Sequence, residues 1–292
     1  MSRNTIKTVV LLAGIGGLFM LVGQLLGGTS GLAIGLLLGL GLVGFSYWFS
    51  DTVAIKAARA VPVTEAEMPE YYAIVRDLTQ RAQMPMPKLY VTPDRQPNAF
   101  ATGRNPNHAA VAVTKGILEI CTWDELRGVL AHEISHVGNR DILIGSVAAA
   151  LAMAITFAAR LAMFAAIFGG GNDRGGNRGP NAFEQLALII LAPIAAILLQ
   201  MALSRSREFE ADRSGARLIG DGEPLARALA KLEAGAKRIP MQNVRPETAQ
   251  MYIINPLVNP ATGKQFQFRS LFMSHPSTEE RIARLRSKEW AR

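Results

Sequence analysis

Two uncharged apolar stretches open the chain: VVLLAGIGGLFMLVGQLLGG at 9–28 and GLAIGLLLGLGLVGFSYWF at 31–49. Each is close to the roughly 20 residues that carry a helix across a bilayer. Two more follow at 142–168 and about 186–204, with a Gly- and Asn-rich segment between them. In hydrocarbon a backbone must satisfy its own hydrogen bonds, which leaves helices as the natural form for such stretches. The expected fold class is therefore a mainly α membrane protein with four transmembrane helices and a polar α+β part carrying a small sheet.

The expected organisation has four parts. Residues 1–50 form a first hairpin and 142–204 a second, whose loop 169–182 is expected to be mobile. Residues 51–141 and 205–292 supply the polar part. MSRNTIK resembles the basic start of a signal peptide, but a second apolar stretch follows at once, so the segment reads as an anchor. Arg160 lies toward the loop end of the third stretch, where its side chain can reach the interface, and Pro193 is expected to kink the fourth helix. Lys and Arg flank the polar sides (Arg3, Lys7, Lys56, Arg59, Arg140, Arg205, Arg207), whereas the outer loop holds Arg174 and Arg178. This bias puts both termini and the polar part in the cytoplasm.

The net charge of +8 suits that bias; the basic residues are scattered without a nucleic-acid motif, so no nucleic-acid partner is expected. A single cysteine, Cys121, excludes an internal disulfide and reads as a small buried hydrophobe. In the polar part, 65–83 reads as an amphipathic helix, and 88–93, 98–103 and 109–116 read as strands. Helices are expected near 205–219, 223–235 and 277–288.

TWDELRGVLAHEISHVGN (122–139) starts with Thr122 and places Glu125 three residues on, the pattern of a capping box. On that helix His132 and His136 share a face and can offer ring nitrogens to one metal ion. Glu133 lies beside them, within reach of a metal-bound water, so the HExxH spacing supplies two ligands and a general base. A catalytic zinc site wants three protein ligands. His108 and His275 do not sit on a second long helix. In SREFEADRSG (206–215) Glu208 and Asp212 are four apart, so Glu208 can be the third ligand and Asp212 can accept a ligand histidine's N–H. Glu210 would point off that face. Two histidines and a carboxylate also suit iron or manganese.

HEISH followed by EFEAD resembles the glutamate-type zinc metallopeptidases, in which HExxH is completed by ExxxD. The four apolar stretches, with PNAFATG (97–103) and SHPSTEERI (274–282), narrow the likeness to the membrane-bound HtpX family, relatives of the CAAX prenyl endopeptidases. The resemblance covers essentially the whole chain. It implies a zinc endopeptidase of the bacterial inner membrane, with one Zn2+ per chain, acting on misfolded membrane proteins in stress-related quality control. By that likeness His132, His136 and Glu208 bind zinc, Glu133 is the base, and Asp212 supports a ligand. Asn98 and Arg281 would meet substrate, Arg281 also helping to organise the site, and His275 would stabilise the oxyanion or contact the substrate. Asp141 is given a structural role.

Two other classes compete. A transporter or sensor could use the same ligands as a structural metal site, though the apolar stretches lack the paired charges of an ion path. A soluble zinc peptidase would bury those stretches in its core.

Overall fold

The computed structural model describes residues 3–139, 141, 206–238, 253 and 276–291. The apolar stretches at 142–204, the loop 169–182, Arg160, Pro193 and His275 lie outside the described residues. Contacts divide the chain into two units, Met1–Tyr47 with Ile144–Gln200 and Trp48–Leu143 with Met201–Arg292.

Helix α1 (Arg3–Ala57), most of which belongs to the first unit, is helical throughout but reverses at Gly28, whose φ of 59° a side chain would resist. A Cβ on Gly35 would strike the Phe19 carbonyl, and one on Gly23 would strike that of Gly31. In a straight helix Phe19 and Gly35 would stand about 24 Å apart. The glycines thus allow the two arms to approach backbone to backbone. Among the described residues no helix is long and apolar enough to cross a membrane.

In the second unit four strands form a mixed sheet in the order β1-β2-β4-β3: β1 (Val61–Pro62), β2 (Lys88–Thr92), β3 (Ala99–Gly103) and β4 (Ala109–Thr114). β2 and β4 run parallel, while β1–β2 and β3–β4 are antiparallel. β4 is buried at every position, as a central strand covered on both faces should be. Among the described residues β3 is an edge strand. The Asn98 carbonyl accepts from Thr114 N–H, so the alternate residues Ala99, Ala101 and Gly103 direct their main-chain groups away from β4.

Helix α2 (Pro69–Arg81) buries Tyr71, Val75 and Leu78, and short α3 (Lys115–Ile120) follows β4. Helix α4 (Trp123–Gly138) opens in a complete capping box: the Thr122 hydroxyl accepts from Glu125 N–H, and the Glu125 carboxylate accepts from Thr122 N–H. The described residues of this unit also form helices α5 (206–219), α6 (Glu223–Arg238) and α7 (Thr278–Arg286). The core gathers Leu126, Val129, Leu130 and Ile134 of α4 with Leu225, Leu229 and Leu232 of α6, beside Val111 and Val113. At roughly 1.5–3 kcal/mol for each buried aliphatic side chain, these contacts hold α4 rigid between sheet and helices. β1 is too short to show alternation, and α3 was hidden in the tail of a predicted strand.

Candidate active site

The HExxH residues occupy the second half of α4. His132 and Glu133 are buried, and the His136 side chain is 14% exposed. α5 crosses α4 closely enough that a Cβ on Gly215 would lie 2.9 Å from the His132 amide nitrogen. Gly215 follows Glu208 by seven residues and Asp212 by three, the spacing of one helix face. The absence of a side chain there lets α5 bring both carboxylates down onto the histidines.

His132 Nε2 and His136 Nε2 stand 3.1 Å apart. Glu208 Oε2 is 3.6 Å from His132 Nε2, and its Oε1 is 3.6 Å from His136 Nε2. Ligand atoms about 2.0–2.1 Å from a tetrahedral ion stand about 3.3 Å from one another, and the measured separations bracket that value. These three residues form a possible metal site.

Both imidazoles turn Nδ1 toward a carboxylate, which leaves Nε2 for the ion. His132 Nδ1 is 2.9 Å from Asp212 Oδ1, and His136 Nδ1 is 3.2 Å from Asp141 Oδ2. Burial disfavours charge on His132, but hydrogen bonds to Asp212 and Glu208 outweigh it and hold its pKa up to about 10. The pocket is thus electrostatically suited to a positive charge beside Nε2.

Arg281 reaches this cluster from α7. It is 1% exposed and grips Asp212 with both prongs, Nε to Oδ2 at 2.8 Å and Nη2 to Oδ1 at 2.7 Å. Its Nη1 lies 3.5 Å from Glu208 Oε2. Against burial, which presses the Asp212 pKa upward, these charges and bonds hold it down to about 2. Two of the three guanidinium nitrogens of Arg281 are thus engaged by Asp212, which fits the site-organising part expected of it.

Asn98 stands at the start of β3. It is buried, and its Oδ1 accepts from Ile253 N–H at 3.0 Å, tying a distant segment to the start of β3. Glu133 Oε2 accepts from Ala101 N–H on the edge strand at 2.8 Å. Burial raises the Glu133 pKa, with Glu208 adding to it and both histidines opposing.

Three contributors escaped the sequence reading: Gly215, Ala101 and the Asp141 contact. The spacing of Gly215 from Glu208 and Asp212 was a visible signal. The Ala101 contact is made by main chain and carried none.

Fold and site together define a metallopeptidase of the zincin type, with HExxH and a glutamate on a second helix around one ion site and a small mixed sheet alongside. The chain belongs to peptidase family M48, which matches residues 65–289, and it is a metalloprotease. It is 50% identical over 284 residues to the Protease HtpX homolog of Burkholderia mallei (strain SAVP1), covering 97% of this chain and 96% of that protein. The Protease HtpX homolog of Burkholderia pseudomallei (strain K96243) is similar to the same extent. The crystal structure of S. mikatae Ste24p aligns with a TM-score of 0.56 at 20% identity, over 97% of this chain. This chain spans 65% of that Ste24p chain, and the likeness is one of fold.

Proposed function

We propose that the chain is a zinc-dependent endopeptidase of the bacterial inner membrane that cuts misfolded or damaged membrane proteins at the cytoplasmic face. The observation that carries the proposal is the convergence of His132, His136 and Glu208, with Glu133 buried beside them. His132, His136 and Glu208 hold one zinc ion. When bound, zinc polarises the scissile carbonyl and makes a water molecule acidic near neutral pH.

Glu133 is the base. The Ala101 N–H holds Oε2, which leaves Oε1 to take the proton of the attacking water and hand it to the departing amine nitrogen. Burial strengthens it for that role by raising its proton affinity. Asp212 keeps the His132 proton on Nδ1, and Arg281 holds Asp212 ionised. Asn98 serves substrate at one remove, by fixing the start of the edge strand. Apart from the Ala101 N–H that Glu133 takes, that strand offers its outward main-chain groups to an extended polypeptide, which gives sequence-tolerant binding. His275 stabilises the developing oxyanion.

The membrane assignment draws on the four apolar stretches, the flanking basic residues and the likeness to HtpX homologs. The second arm of α1 supports it, with Ile34, Leu37, Leu40, Phe45 and Trp48 each more than half exposed. So large an apolar surface suits lipid better than water. The grouping of Met1–Tyr47 with Ile144–Gln200, apart from Trp48–Leu143 with Met201–Arg292, is consistent with apolar segments separate from a two-part polar domain. In the sequence His136 precedes the third stretch by about six residues and Glu208 follows the fourth by about four.

The test is Glu133→Gln, assayed for zinc content and casein cleavage in detergent. The variant should keep its zinc and lose cleavage by at least about a hundredfold. Equal cleavage by variant and wild type overturns the mechanism.

A further inference from the structure

The second metal-site histidine has a carboxylate of its own. Asp141 Oδ2 lies 3.2 Å from His136 Nδ1, and Asp141 is 4% exposed. It stands five residues beyond His136, past the residue Asn139 that caps α4. Neither HExxH nor the Glu208–Asp212 pair includes it. Asp212 reaches His132 from a separate helix, whereas Asp141 reaches His136 from the same end of α4 that carries it.

A neutral imidazole that gives Nε2 to a metal keeps its proton on Nδ1, and an acceptor there selects the tautomer and sets the ring plane. His136 has this arrangement: Nδ1 toward Asp141, and Nε2 toward His132 Nε2 at 3.1 Å and Glu208 Oε1 at 3.6 Å. The ring stands at 86° to that of His132, so the two nitrogens converge from different directions. Arg207, next to Glu208 on α5, is a nearby cation: burial depresses its pKa, and the charges of Asp141 and Glu208 oppose that. A buried carboxylate at Asp141 therefore has both a hydrogen-bond donor and a counter-charge.

We propose that Asp141 is the positioning residue of His136: it holds the Nδ1 proton and aims Nε2 at the ion, as Asp212 does for His132. The inference deepens the metal site of the proposed function and rests on that reading.

The test uses the full chain in detergent, wild type against Asp141→Ala and Asp141→Asn. Three quantities are read: zinc affinity by chelator competition, the visible spectrum of the cobalt-loaded protein, and the unfolding temperature of the metal-free protein. Asp141→Ala should bind zinc about 10- to 100-fold more weakly and shift the cobalt bands. Asp141→Asn keeps an oxygen acceptor and should fall between Ala and wild type. Asp141→Ala with wild-type zinc affinity and cobalt spectrum overturns the inference, and so does a loss confined to metal-free unfolding temperature. If the Ala variant does not fold, Asp141→Asn decides alone, and undiminished zinc affinity overturns the inference. A wild type that takes up neither zinc nor cobalt sinks the proposed function as well. A variant that matches a metal-binding wild type sinks this inference alone.

Discussion

The two ends of α4 use similar residues in opposite surroundings. At the N-terminal end Glu125 meets Lys231 at 2.7 Å and Asp124 meets Arg227 at 2.5 Å. Lys231 and Arg227 keep 43% and 46% of their side-chain surface in solvent. At the other end His132, Glu208, Asp212 and Arg281 are each less than 10% exposed in their side chains. Water screens Asp124, Arg227 and Lys231, so any of these can be lost at small cost, whereas Glu125 is buried beneath them in the capping box. The second set is nearly dry, and each charge there is tolerable only because the others are present. A helix can thus be tied to its neighbours by forgiving contacts at one end and by an all-or-nothing cluster at the other.

The largest test of this contrast is Arg281→Met, which leaves Asp212 buried without its cation. It should cost about 3–5 kcal/mol of unfolding free energy and weaken zinc binding. Thermal unfolding with and without metal checks this, and a variant as stable as wild type would dissolve the contrast.

Gly215→Ala comes next. Alanine favours a helix over glycine by about 1 kcal/mol, so a loss of stability must come from the clash with His132. The expected net loss is about 1–3 kcal/mol, with weaker zinc binding. A stabilised variant with unchanged metal affinity would show that α5 has room to spare.

Acid sharpens the same point. Asp212 is held down to about 2 from an ordinary 3.8, so its contribution is complete above about 3.8 and falls away as the pH drops toward 2. In the metal-free protein, unfolding temperature followed over that window should fall more steeply for wild type than for Asp212→Asn. Parallel curves would mean the group is not linked to folding.

The smallest effect belongs to the forgiving end. Thr122→Ala removes the capping hydroxyl and should cost about 1 kcal/mol, with zinc content and casein cleavage unchanged. A loss of zinc there would mean that the two ends of α4 are coupled.

The polar part was legible where local rules govern. The Thr122–Glu125 cap, the register of His132 and His136, and the strands at 88–92, 99–103 and 109–114 all follow from side-chain type and spacing. Arg281 was harder to read. The resemblance alone brought it to the site, and its two-pronged hold on Asp212 exists only once α7 is packed against α5. Asn98 looked like a turn residue facing substrate, and its partner Ile253 lies 155 positions away. Such contacts leave no periodic mark, because they depend on which elements meet.

What the amino-acid order determined alone was the chemistry on each helix: two imidazoles and a carboxylate on one, two carboxylates on one face of the other. Local hydrogen bonding and a repeat of about 3.6 residues per turn suffice for that. Whether Glu208 closes the site, and which charges keep Asp212 ionised in a dry pocket, was decided by tertiary packing. Electrostatic energy inside a protein depends on distance and burial, and neither exists until α4, α5 and α7 have come together.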